Sequence, residues 1–428
     1  MSIPAMEIGI TQSHGRYRVW LLVTGILGLV GMITYFWLLG RDPGPETWGL
    51  FTVNYIFLLG VTQFGVAFSA MMRICNAQWP KPFYRIAELT TVAFFPFAIV
   101  GFLFIYFLGK DDLLFWLADY HAGEELIGWL NPDWLLFRNL GAQLVFYALA
   151  FAYFCMALMV DIDEKVAATG PAWRRALYRR LLAFKRGPDD DESTQKRLYV
   201  MSVVILIAFV PPNTFISWDF GMMLYYHYHS SIFPMYFTMG SLFAGSAVLV
   251  LLHVIMSRFI DTSPFFGVRQ FQNMGILLCG FALLWLYLWW SQFFVTWYGN
   301  LPDQMAPLWA QMYGHYAPFF WAMMLCVVGI PVAALLFERF KRTLWTMELL
   351  TVVMVIGIWL NRYLTVMPAI RDDHLVFTSF AEVVITAGWF ASFLFALLVA
   401  MNIVPLIPVR EIRMGALEPA RYKTYTME

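Results

Sequence analysis

The sequence predicts an all-α, polytopic membrane protein with ten transmembrane helices and both ends on the cytoplasmic side. Three observations carry this. Of 428 residues, 61% are hydrophobic and 13% charged, whereas a soluble domain carries about 25% charged residues; the mean hydropathy is +0.65. Ten apolar stretches each reach the roughly 20 residues that cross hydrocarbon. They lie near 17–40, 48–73, 85–109, 137–160, 197–218, 230–257, 272–298, 310–337, 343–366 and 375–406. The cations then sort onto alternate connections. With the N-terminus inside, 23 of the 28 lysines and arginines fall on the inner side, leaving Arg41, Lys110, Arg138, Arg362 and Arg371 outside. That is the positive-inside bias. This composition excludes a soluble enzyme, a disordered chain and a basic nucleic-acid binder. Equal numbers of basic and acidic residues, 28 each, leave no global field to recruit an acidic partner.

The organisation follows from the spans. The chain 1–428 forms a single integral domain. Helices two to five (48–219) and six to nine (230–366) are expected as two four-helix bundles, with helices one and ten flanking them. Residues 161–197 form a long, charged cytoplasmic loop, in which Trp173–Lys185 has the pattern of a basic amphipathic helix on the anionic leaflet. The outer connection 110–136 is acidic and holds Trp116, Trp129 and Trp134. It suits an interfacial helix, either a solvated lid or a docking surface for an extracytoplasmic partner. Cys75, Cys155, Cys279 and Cys326 are isolated and lack CxxC spacing, so neither a zinc nor an iron–sulfur motif is present.

Ionisable groups inside apolar spans mark pathways or snorkel to an interface. Glu88, Asp161, Asp163, Asp219, His253, Glu348 and Glu382 are in this class. The richest stretch closes helix five: Pro211-Pro212-Asn213, Ser217-Trp218-Asp219-Phe220, then Tyr225-Tyr226-His227-Tyr228-His229. Its prolines free carbonyls and bend the helix. A carboxylate, two imidazoles and several phenols at one interface suit a proton-coupled redox site, where Asp219, His227 and His229 accept quinol protons. An aromatic belt with incidental histidines is the competing reading. On helix two, Asn54 and Gln63 differ by nine residues and face opposite sides. Asn54, level with Asp219, would bond a quinone carbonyl or glue helices together. Arg138, Asn139 and Gln143 enter helix four across from it. Histidine pairs at matching depth, which a transmembrane haem pair needs, do not occur in this sequence.

These residues resemble the NrfD/PsrC family, the integral quinol-reactive subunits of iron–sulfur and molybdopterin oxidoreductases. The motifs are Ser217-Trp-Asp-Phe, His229-Ser-Ser-Ile-Phe-Pro-Met-Tyr-Phe and Ser291-Gln-Phe-Phe-Val-Thr-Trp-Tyr-Gly-Asn-Leu-Pro. Arg85-Ile-Ala-Glu88 and Trp129-Leu-Asn-Pro132 add to them. The match resembles the long, ten-helix members of alternative complex III. It implies two four-helix bundles, a quinone (menaquinone or ubiquinone) site at the outer end of the first, and no haem or metal in this chain. It also implies an outer iron–sulfur, ferredoxin-like partner, molybdopterin-type or cytochrome c subunits, and a second NrfD-like subunit. The family's second bundle is often taken as a proton route; with Glu88 from the first, the candidates are His253, His315, Glu348, Arg362 and Glu382.

The expectation is a quinone-interacting subunit of a multi-subunit respiratory oxidoreductase in a bacterial cytoplasmic membrane, without catalysis by this chain alone. A secondary transporter or ion channel also fits ten helices with broken segments and scattered carboxylates. A membrane anchor without a quinone site is a third alternative.

Overall fold

The computed structural model describes residues 14–41, 44–123, 126, 128–162, 171–184, 191–225, 227–259, 261–262, 265–371 and 377–408. Among them no strand occurs. Ten helices are long and apolar enough to cross a membrane, so the chain is a multi-pass membrane protein. They are α1 (Gly15–Arg41), α2 (Pro45–Ile74), α3 (Lys81–Leu113), α4 (Pro132–Asp161), α5 (Ser193–Met222), α6 (Phe233–Ser257), α7 (Val268–Gly299), α8 (Gly314–Leu335), α9 (Leu344–Ile370) and α10 (Phe380–Met401).

Local signals set several starts. Asn131 caps α4, accepting from Trp134 N at 3.0 Å, with Pro132 in the first turn. Ser379 and Glu382 form a reciprocal capping box on α10. Glu382 therefore belongs to the first turn of α10, not two turns into it, because the helix starts at Phe380 rather than near 375. In α5 the helix runs through Pro211 and Pro212. Its irregular turn comes later, as a π segment over Trp218–Met222 closed by Met223 N on Trp218 O at 2.7 Å. Such wide turns displace the following side chains and recur at functional sites.

Packing is organised around α2. Every residue from Thr47 to Ala70 on it is buried, under α3, α5, α6, α9 and α10. α2, α3, α4 and α5 pack in one cycle, and α6, α7, α8 and α9 in another; α2 joins the cycles through α6 and α9. α1 lies along α10, and α10 rests on α2 and α3.

Small residues permit the closest approaches. A Cβ on Gly31 would lie 2.5 Å from the Gly388 Cα, so α1 and α10 cross backbone to backbone. On Gly65 it would lie 2.0 Å from the Ala87 carbonyl oxygen, where α2 meets α3.

In the charged 161–197 connection, Ala172–Ala183 is helical, which matches the amphipathic stretch read from sequence. Asp163 and Lys185 lie outside the described residues.

Gly31→Leu should therefore wedge α1 away from α10 and destabilise the protein by about 1–3 kcal/mol. Gly40→Ala, with open space around the new methyl, should stay within about 0.5 kcal/mol. Thermal unfolding in one detergent compares the two.

Candidate functional site

Three of the candidate residues, Asp219, Arg138 and Asn139, meet where the π segment of α5 packs on the start of α4. Asp219 is buried on that segment. Its Oδ1 accepts from Trp129 Nε1 at 2.9 Å and Arg138 Nη2 at 2.6 Å. Its Oδ2 accepts from Arg138 Nε at 2.8 Å and Asn139 Nδ2 at 2.5 Å. Arg138 thus grips the carboxylate as a fork, the strong planar geometry of this pair. The guanidinium also donates to Trp129 O at 2.7 Å and lies 4.1 Å over the Trp129 ring. Trp129 packs edge-on against Trp218 at 5.0 Å. The clasp ties the approach to α4, its second turn and the end of α5 together.

Two buried polar atoms at this clasp have no partner among the described residues: Asn139 Oδ1, an acceptor, and Trp218 Nε1, a donor. One helical turn along α4 from Asn139, Gln143 Nε2 donates to Tyr55 OH at 3.2 Å, and that hydroxyl donates to Ala98 O at 2.8 Å. The structure thus brings Asp219, Arg138 and Asn139 into direct contact, with Gln143 next in line on the same face of α4.

Other predicted residues lie elsewhere. Asn54 turns away from Asp219. Its Nδ2 donates to Leu50 O at 2.9 Å and Thr386 Oγ1 at 3.3 Å, and its Oδ1 accepts from Trp359 Nε1 at 3.0 Å. It joins α2 to α9 and α10, the gluing alternative. Gln63, on the opposite face, accepts from Asn213 Nδ2 at 2.9 Å on α5. His227 and His229 are exposed in the connection to α6. Gln304 holds that connection, accepting from His229 N at 2.9 Å and donating to His227 O at 2.7 Å. Carboxylate and imidazoles therefore do not form one constellation: the π turn directs Asp219 inward while the chain beyond it emerges.

Glu88 sits in a buried charge network at the opposite end of α3. It accepts from Arg73 at 2.9 Å and Arg85 at 2.8 Å, and Arg85 reaches Asp161 at 2.5 Å. Arg73 also donates to the Tyr153 hydroxyl, which accepts from Ser69 Oγ at 3.1 Å.

The remaining proton-path candidates are dispersed. His253 packs 4.1 Å from the Phe266 ring, with Nε2 3.2 Å from Thr262 Oγ1. His315 is exposed in the turn Gly314–Tyr316. Glu348 is half-buried near the start of α9. Glu382 caps α10, its Oε1 accepting from Ser379 N at 3.0 Å. Arg362 is fully buried and bonds only neutral groups among the described residues. It donates to Asn361 Oδ1 at 3.1 Å, Phe237 O at 2.6 Å and Ser241 Oγ at 3.2 Å, and lies 3.5 Å over the Phe237 ring.

Reading polar residues one span at a time missed Tyr55, Arg73, Tyr153 and Asn361. Tyr55 and Tyr153 carry no sequence signal, because a tyrosine in an apolar span looks like any other aromatic. Arg73 was visible only as an inside charge. Trp129 stood in a motif without an assigned bonding partner.

No family model matches the chain. It is 20% identical over 373 residues to a selenate reductase subunit of Mesobacillus selenatarsenatis, a match that spans 83% of each protein.

Arg138→Gln should cost about 3–5 kcal/mol of stability, the penalty for stranding a buried charge. The double variant Arg138→Gln/Asp219→Asn should cost clearly less than the sum of the two single changes. Equilibrium melts of all four proteins provide the cycle.

Proposed function

We propose that this chain is a quinone-interacting membrane subunit of a multi-subunit respiratory oxidoreductase. The observation that carries the reading is the pair of unpartnered atoms beside the Asp219 clasp. Asn139 Oδ1 can accept from a quinol hydroxyl and Trp218 Nε1 can donate to a quinone oxygen. A ligand that presents both oxygen states is what those two atoms lack, so the residues fit a quinone ring, whether menaquinone or ubiquinone. The ring would supply the two-electron, two-proton chemistry.

The protein's own part is positioning and proton handling. Arg138 and Trp129 hold the Asp219 carboxylate in one orientation. With four donors on two oxygens, Asp219 takes a proton when a donor moves aside, and Asn139 is the neutral one among them that α4 supplies. His227 and His229 are exposed in the connection to α6, apart from the carboxylate, so a proton passed to them from Asp219 would travel through water. Asn54 we assign to helix packing on the bonds it makes.

The two packing cycles we read as two four-helix bundles of the NrfD/PsrC type, with the long form found in alternative complex III. From the cation distribution we read both chain ends and the Glu88 network as cytoplasmic, and from the resemblance we take the membrane to be a bacterial inner membrane. The Asp219 end then faces outward, toward an iron–sulfur, ferredoxin-like subunit that exchanges electrons with the ring. The complex would also hold molybdopterin-type or cytochrome c subunits and a second NrfD-like subunit. The relative's name, a subunit of a selenate reductase, supports membership in a redox assembly. A proton route would use the Glu88 network on one side and His253, His315, Glu348, Arg362 and Glu382 on the other. Arg362, with neutral partners only among the described residues, is the observation that favours the rival reading, an ion-translocating protein.

Asn139→Leu and Trp218→Phe should each raise the KM for quinol about tenfold, the worth of one hydrogen bond, with the complex still assembled. Asp219→Asn should abolish quinone-linked turnover. Unchanged kinetics in all three, in assembled complex, rejects the site. Ion flux through the chain alone in liposomes would support the transporter instead.

A further inference from the structure

The helix Ala172–Ala183, between α4 and α5, has three distinct faces. Its sequence, AWRRALYRRLLA, holds four arginines and no acidic residue. One face is docked. Tyr178 OH donates to Ile403 O at 2.7 Å and Arg174 Nη1 approaches Asn402 O at 3.5 Å, both side chains buried. Burial pushes the Tyr178 hydroxyl up to about 12, so it stays a neutral donor. This face fixes the helix against the chain that leaves α10, at the level where α10 ends at Met401 and α4 at Asp161. The ends of two apolar spans mark that level as the one where hydrocarbon gives way to headgroups.

A second face is apolar and open. Trp173 is 52% exposed, Leu177 39% and Phe184 76%. Their spacing of four and seven residues puts them in one stripe, and the exposed Arg180 lies beside it. The third face carries exposed Arg175 and Arg179. Bulky apolar side chains in a row call for a partner. A stripe flanked by cations at headgroup level has the chemistry of an anionic phospholipid.

We propose that this helix is a binding site for anionic phospholipid of the leaflet at the Glu88 end. The acyl chain lies along Trp173, Leu177 and Phe184. The phosphate meets Arg180, and Arg175 and Arg179 add to the attractive potential. Because the docked face grips the carbonyls of Asn402 and Ile403, an occupied site also steadies the end of α10. The inference does not depend on the quinone reading.

The test uses the full chain in its complex, reconstituted in vesicles of phosphatidylcholine with one quarter phosphatidylglycerol, re-extracted in mild detergent and weighed by native mass spectrometry. The wild type should retain phosphatidylglycerol in preference to phosphatidylcholine. Arg175→Gln/Arg179→Gln/Arg180→Gln should lose that preference, at roughly fivefold per arginine that meets the lipid. The triple lysine variant at the same positions should keep it, which separates lost charge from lost fold. Trp173→Ser/Leu177→Ser should lower retention of both lipids. Equal retention of the two lipids by the wild type overturns the proposal, as does an unaltered preference in the glutamine variant. Displacement of the phosphatidylglycerol by millimolar inorganic phosphate also overturns it, since the site would then read a free anion. So does protection of the helix from hydrogen exchange by a soluble subunit but not by the charged vesicles, since the stripe would then be a protein interface.

Discussion

α2 has no face toward lipid, and most of the architecture answers to that. Thr52 Oγ1 and Gln63 Nε2 apart, which lack a partner among the described residues, the polar side chains of this helix find partners within the protein. Asn54 does so against α9 and α10, Tyr55 against α3 and α4, Gln63 against α5, and Arg73 against α3. Each bond fixes the rotation and depth of one neighbour relative to the same axis. Apolar packing between membrane helices is weakly directional; these few bonds supply the register.

Charge is handled by the same logic at the two ends of the first packing cycle. Arg138 with Asp219 at one end, and Arg73 and Arg85 with Glu88 and Asp161 at the other, are neutral groups as wholes. A buried pair of this kind contributes little net stability, yet removing one partner is severe. Such networks therefore act as fixed points rather than as reserves of energy. Arg362 departs from the pattern. Its carbonyl, hydroxyl and ring partners disperse the guanidinium charge without cancelling it.

The ten spans were legible in the sequence because membrane thickness acts on length and composition alone. The site was legible in part. Arg138, Asn139 and Gln143 share the face of α4 toward Asp219 or its neighbours, and all four stood out as polar residues at similar depth. Helical rotation placed Asn54 and Gln63 on opposite faces, but rotation alone does not say which face meets α5; the structure gives that face to Gln63. The histidines misled for a related reason. His227 and His229 are close to Asp219 in the chain, but a π turn and an emerging loop intervene, and proximity along a chain that leaves a helix is not proximity in space. Glu382 was misplaced by helix length: starting α10 five residues early turns a capping carboxylate into an apparent intramembrane one.

The clasp itself has a mechanical implication. Asp219 is held by four donors on a π segment closed by Met223 N on Trp218 O at 2.7 Å. Asn139 Nδ2 gives one hydrogen to Asp219 Oδ2 and the other to Leu135 O at 3.0 Å. Losing the bond to Asp219 strands one neutral N–H, which costs less than stranding a buried charge. Both Arg138 nitrogens that grip the carboxylate make charge-assisted bonds. The ion pair therefore holds the geometry, and the amide bond beside it is the one that breaks at the lower cost.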